Sequence, residues 1–254
     1  MKNTEIKELL DEYYDLFNRP SFIESDPVQV PHSFSRREDV EISGFLTSAI
    51  AWGQRPVIIR NAMSLVESMP GGPWEFLMQA DEEQLEYFMN FRHRTFNGTD
   101  CCFFLNSLRN IYLFHKGLKG VFEEGYRMTG NIPGAIDHFR NVFFSIPFPR
   151  RTLKHIPDVT SNAAAKRLNL FLRWMVRKDD RGVDFGLWDI PMSALYIPLD
   201  VHTSGTAREL GLLKRKQDDW KAVRELTYAL RKFDPLDPVR YDFALFGLGV
   251  IKGF

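Results

Sequence analysis

Along most of the chain apolar residues recur at spacings of three and four, and sustained alternation is almost absent, so the pattern predicts an all-α protein. Leu9, Leu10, Tyr13, Tyr14 and Phe17 form the stripe of a first helix that stops before Pro20. A polar, proline-containing connection over 21–35 leads to a segment, 38–52, that is apolar on most faces and predicts a central helix. Gly53-Gln54-Arg55-Pro56 interrupts it before another helix over 57–68, and Met69-Pro70-Gly71-Gly72-Pro73 is a break. Helices are then expected over 74–78, 81–89, 100–116, 118–126 and 132–144, with a second break at SIPFP, 145–149. Next comes a helix capped at Thr160 or Ser161 and running through NAAAKRLNLFLRWMVRK. A loop over 182–194 follows, then a short helix over 201–210, a longer one over 218–231, and a last one with Asp237 as cap and Pro238 as first position, through Leu245. The chain is expected to be one globular helical unit, 1–254, with subdomains 36–145 and 1–35 plus 146–254.

Composition narrows the partners. With 44% apolar and 14% aromatic residues in 254, the chain can bury a large core. Lys plus Arg equals Asp plus Glu at 33 each, so no overall field draws the protein to nucleic acid or to an anionic membrane, and any polyanion site has to be local. The two cysteines, Cys101 and Cys102, are adjacent and offer neither a long-range disulfide nor a metal-ligand spacing. No metal and no cofactor are expected. No apolar run reaches membrane-span or signal-core length, so no membrane partner and a cytoplasmic location are the expectations; the sequence does not fix the oligomeric state, for which a monomer is favoured.

Charge is unevenly distributed. Between Arg150 and Lys178 the basic residues Arg150, Arg151, Lys154, Lys166, Arg167, Arg173, Arg177 and Lys178 face one acid, Asp158. Within this stretch Ala164, Leu168, Phe171, Leu172 and Met175 make a wide buried helix face, while Lys166, Asn169, Arg173 and Arg177 fall on a single polar line. Downstream, IPLDVHT sets Asp200 between an apolar run and the first turn of a helix. On position alone Asp200 is an N-cap, worth roughly 1 kcal/mol. Its company, a drying LYIPL approach, His202, and the polar-striped helix upstream, allows a second reading in which its charge does chemistry.

The lysine-bearing helix AAKRLNLFLRWMVR followed by LDVH at a helix start resembles the helix-hairpin-helix base-excision DNA glycosylases, the superfamily of endonuclease III and 8-oxoguanine DNA glycosylase. Asp200 lies 34 residues after Lys166, a separation similar to that of the archaeal 8-oxoguanine glycosylase branch. DVEISGFLTSAIAWGQRPVIIRNAMSLV resembles the early helix and the glutamine-bearing turn that fills the space left by an extruded base. The chain is also identified as a member of a family of bacterial proteins without assigned function, by KRLNLFLRWMVR, DFGLW, IPLDVHT and DPVRYDFALFGLG. The glycosylase resemblance implies two packed helical subdomains with a cleft, and double-stranded DNA carrying a damaged base as partner. It implies catalytic roles for Lys166 and Asp200, and entry of Gln54 and Arg55 into the duplex. Arg150, Arg151, Lys154, Arg173, Arg177 and His202 are the expected DNA contacts, and Trp52, Phe171 and Trp174 the expected walls of a base pocket. Two departures are visible: the hairpin stretch His155-Ile156-Pro157-Asp158-Val159-Thr160-Ser161 has no glycine, and the four-cysteine loop of endonuclease III is absent.

The implied chemistry is removal of a base from DNA. A carboxylate at position 200 would stabilise the oxocarbenium-like sugar, and an amine at position 166 would attack C1′ and open a β-lyase route, with burial and Arg167 and Arg173 lowering its pKa. Blander readings stand beside each assignment. Lys166 is then a solvated first-turn lysine or a phosphate contact; the aromatics are core; His202 is a local hydrogen-bond partner. His155 with Asp158 is a weak metal or acid/base pair, and Asp184-Phe185-Gly186 lacks the companions of a kinase site. The alternative function is a non-catalytic helical module that keeps the glycosylase-like fold and binds nucleic acid or a nucleotide. A third is an interaction protein whose basic stretch is a solvated face.

Overall fold

Caps at Asp and Asn, and breaks at Pro and Gly, cut the apolar pattern into α1 (Asn3–Phe17), α2 (Arg37–Ala49), α3 (Arg55–Glu67), α4 (Pro73–Gln79) and α5 (Glu82–Glu86). A two-residue antiparallel ladder, β1 (Arg92–His93) and β2 (Phe96–Asn97), pairs Arg92 with Asn97. It is followed by α6 (Gly98–Phe114), α7 (Gly117–Thr129), α8 (Ile132–Phe143), α9 (Lys166–Val176), α10 (Val201–Glu209), α11 (Trp220–Arg231) and α12 (Tyr241–Lys252). The structure, a computed structural model, describes residues 2–252. The protein is all-α apart from this ladder, which the periodicity did not signal because two residues carry no period. Among the described residues no helix is long and apolar enough to cross a membrane.

Two compact units divide the chain: Glu24–Pro157, and Met1–Ile23 with Asp158–Phe254. In the first, every residue of α2 from Asp39 to Ala49 is buried. Phe45 of that helix stacks on Phe104 at 5.8 Å and meets Phe139 edge-on at 5.4 Å. Such pairs each add about 0.5–1.5 kcal/mol beyond the area they bury. Ser43 and Ser48 return their hydroxyls to carbonyls of α2 itself, whereas the buried Thr47 hydroxyl on the same helix is unmatched.

In the second unit α12 is the apolar centre, packed on both α1 and α10. Glycine makes this possible: a Cβ on Gly247 would stand 2.3 Å from the Phe17 ring, and one on Gly249 would stand 3.0 Å from the His202 Cβ. Two expectations fail here. The helix expected from Thr160 or Ser161 begins instead at Lys166. The Asp158 carboxylate accepts from the Thr160 amide and hydroxyl at 2.9 and 2.6 Å and from the Ser161 hydroxyl at 2.9 Å, winding residues 158–162 into a turn of their own. Asn162 and Ala165 then take left-handed backbones, φ +68° and +50°. For alanine this costs roughly 1–2 kcal/mol. Asp237-Pro238 opens only a short 3-10 turn, Pro238–Arg240, and α12 starts at Tyr241. The Asp237 carboxylate is taken by Arg177 at 2.8 Å and makes no cap.

Candidate functional site

Lys166 and Asp200 meet. The turn held by Asp158 delivers Lys166 as the first residue of α9, and Asp200 is the N-cap of α10. Asp200 Oδ1 accepts from the Thr203 amide at 2.9 Å, while Oδ2 stands 3.4 Å from the Lys166 ammonium. One carboxylate thus does both of the things its position allowed: it closes a helix end and it faces an amine. The pair is half-exposed, with 34% of the lysine side chain and 20% of the aspartate side chain accessible. A reactant can reach both groups. The approach to Asp200 is dry on one side, since Tyr196 to Leu199 are buried, and open on the other, where Val201 is exposed.

Below this pair the polar line of α9 goes inward. Arg173 donates from Nε to Asp184 at 3.3 Å, pairs through its terminal nitrogen with Asp242, and lies 4.3 Å over the Phe243 ring. Arg177 donates to Asp237 at 2.8 Å, Asp179 at 2.6 Å, Asp184 at 3.0 Å and the Tyr14 hydroxyl at 2.9 Å. Burial opposes the charge of Arg177, but these carboxylates outweigh it and raise its pKa. Asp242 is in the opposite position. Enclosure by the protein pushes its carboxyl up to about 7, against the pull of Arg173 and with a push from Asp200.

Several expected site residues are elsewhere. Arg173 and Arg177 cannot be the DNA contacts the sequence suggested: they are 3% and 0% exposed, and their guanidinium groups are engaged by aspartates. Phe171 and Trp174 are not base-pocket walls, since both are fully buried in the core, Phe171 against Trp188 at 5.3 Å. His202 packs edge-on against Phe246 at 6.0 Å and sits over Gly249, with its buried Nδ1 unmatched. Its ring serves the α10–α12 contact.

The remaining expected residues belong to the other unit. Gln54 is exposed just before α3, and Arg55 reaches Asp26 at 3.3 Å. Trp52 is flanked by the rings of His93 at 5.1 Å and His155 at 6.0 Å. Arg150 and Lys154 are exposed. Arg151 is anchored on Asp100 at 2.6 Å, and the same buried carboxylate meets the Thr152 hydroxyl at 2.8 Å and His155 Nε2 at 3.2 Å. His155 thus faces Asp100. Sequence reading missed the Asp100 and Asp242 centres. The signal available was an acid opening an apolar helix, which reads equally well as a first-turn acid. Among the described residues no group of three His, Cys, Asp or Glu is placed to hold a metal ion.

Comparison with known proteins adds one finding. A family model described as a protein of unknown function, DUF2400, matches residues 26–251. No curated protein and no solved structure matches the chain.

Proposed function

Since the chain belongs to the DUF2400 family, whose function is not assigned, its activity has to be argued from its own residues, and we propose that it is a DNA N-glycosylase with β-lyase capacity acting on a damaged base. The observation that carries this reading is the 3.4 Å approach of the Lys166 amine to the Asp200 carboxylate, from the start of one helix to the cap of another, at an accessible place. A nucleotide swung out of the stack presents C1′ to both groups. As the base leaves, positive charge spreads over the sugar, and a carboxylate fixed by the Thr203 amide lowers that barrier electrostatically. The base leaves with the glycosidic electron pair and takes a proton from water; the Lys166 amine bonds to C1′ and its nitrogen loses a proton, the C1′–O4′ bond breaks with its electron pair going to O4′, which takes up a proton, and the Schiff base so formed expels the 3′ phosphate as a C2′ proton is lost.

The resemblance of the lysine helix and the LDVH segment to the helix-hairpin-helix glycosylases supports the same reaction. Against a close copy of that superfamily stands the turn at 158–161. Its Asp158 is held down to about 2 by hydrogen bonds from Thr160 and Ser161, so an anion sits where glycine amides would grip a phosphate. This favours a variant reading in which DNA is held through other exposed cations, such as Arg150 and Lys154. Duplexes bearing 8-oxoguanine, uracil, alkylated purines or oxidised pyrimidines, incubated with the protein and borohydride, test the proposal. Base release and a covalent adduct on at least one lesion are expected. Neither product on any lesion, from folded protein at low salt, would overturn the reaction.

A further inference from the structure

One face of α3 is polar where a packed helix is ordinarily apolar. Asn61, Ser64, Leu65 and Ser68 recur at i, i+3, i+4 and i+7, the spacing of a core stripe, yet only Leu65 of the four is buried. The serines are short, and the segment that passes this face, Tyr87 to Arg92, does not fill the space beside them. A pocket of about 260 Å³ remains, with Leu65, Phe88 and Phe91 as its apolar wall. All of it lies within the unit Glu24–Pro157.

The surroundings of the pocket are held in place. Phe88 meets Phe76 edge-on at 5.4 Å, and Phe91 meets Phe96 edge-on at 6.0 Å. Next to Arg92, His93 donates from Nε2 to the Trp52 carbonyl at 3.1 Å and accepts at Nδ1 from the Asn61 amide nitrogen at 3.0 Å. Burial lowers the pKa of His93 and so favours the neutral ring that this pairing requires. The Asn61 nitrogen is thereby committed, and Oδ1 is the atom it offers to a ligand. Ser68 gives its hydroxyl proton to the Ser64 carbonyl at 2.9 Å and keeps its oxygen as an acceptor.

Two features select the ligand. Among the described residues that line the pocket Arg92 is the one charged side chain, and it is exposed, so the pocket attracts an anion; a guanidinium fork suits phosphate. Tyr87, 63% exposed, meets Phe88 edge-on at 5.7 Å and leaves its ring open to a flat group stacked upon it. The volume is a little below the roughly 300–1,000 Å³ of pockets that enclose drug-sized ligands, which suits one nucleotide and is too small for a dinucleotide. We propose that this pocket binds a nucleoside monophosphate, with its base on Tyr87, the edge of the base toward Asn61 and Ser68, and its phosphate on Arg92. The proposal is independent of the reading of Lys166, which belongs to the other unit.

The test is equilibrium dialysis of the full chain, its fold checked by circular dichroism, against labelled AMP, GMP, CMP and UMP, with the matching nucleosides and ribose 5-phosphate as controls. At least one nucleotide is expected to bind one to one, its nucleoside and ribose 5-phosphate each being at least about tenfold weaker. Arg92→Ala is expected to weaken the nucleotide by about tenfold or more and to leave the nucleoside unchanged. Tyr87→Ala should weaken both, and Ser64→Phe, which sets a ring in the space, should abolish binding. Retention of no nucleotide by the wild type would overturn the proposal. So would equal retention of ribose 5-phosphate, which marks an anion site without base recognition, or nucleotide binding that survives Ser64→Phe. The wild-type panel decides the matter even where a variant fails to fold.

Discussion

Asp200 serves a helix end with one oxygen and an amine with the other, and the two services can be separated by substitution. Asn caps helices as well as Asp does, so Asp200→Asn should retain stability to within a few tenths of a kcal/mol while losing base release. Asp200→Ala should lose the activity and about 1 kcal/mol as well, measured by urea denaturation. Asp242 makes the opposite kind of prediction. Its pKa is raised by burial from the usual carboxylate range to about 7, so the folded state binds a proton there that the unfolded chain has already lost. Its contribution to stability is therefore present below about pH 4 and disappears as pH rises to about 7. Relative to Asp242→Asn, the wild type should lose stability across that window and level off above it; a difference independent of pH would mean that Asp242 is ionised throughout.

At the scale of the element, α9 shows what was legible in the sequence and what was not. Its apolar face and its polar line were both readable from spacing, whereas the meeting of a lysine and an aspartate far apart in the chain was expected only from the resemblance of the two segments to a known superfamily. What spacing cannot tell is which way a polar line points. Lys166 at the top faces solvent, whereas Arg173 and Arg177 lie in the interior only because Asp184, Asp237 and Asp242 arrive from other segments to meet them. The start of the helix was misread for a related reason: Asp158, three residues before Ser161, captured the hydroxyls that were expected to act as caps. Removing one partner from a buried charged network leaves the others uncompensated, at a cost of about 3–5 kcal/mol. Arg177→Ala should lose that much by denaturation, whereas Lys166→Ala, at a half-exposed pair, should change stability by less than about 1 kcal/mol.

For the whole molecule, the balance of 33 basic and 33 acidic residues means that DNA would not be captured by a long-range field. Phosphate contacts have to come from exposed cations, and Arg150 and Lys154 of the basic stretch are exposed candidates. Replacing either by Ala should leave stability within about 0.5 kcal/mol and lower the slope of log affinity against log salt by about 0.9. The same substitution at Arg173 should leave that slope unchanged at equal folded fraction, because its charge is already met by Asp184 and Asp242. All of this serves one claim, that an amine and a carboxylate 34 residues apart act together on a sugar carbon. The most direct measurement is peptide mapping of the borohydride-reduced protein–DNA adduct. The account predicts a deoxyribose-derived mass on Lys166, absent from Lys166→Ala and strongly reduced in Asp200→Asn; an adduct of unchanged yield on another residue in Lys166→Ala would contradict it.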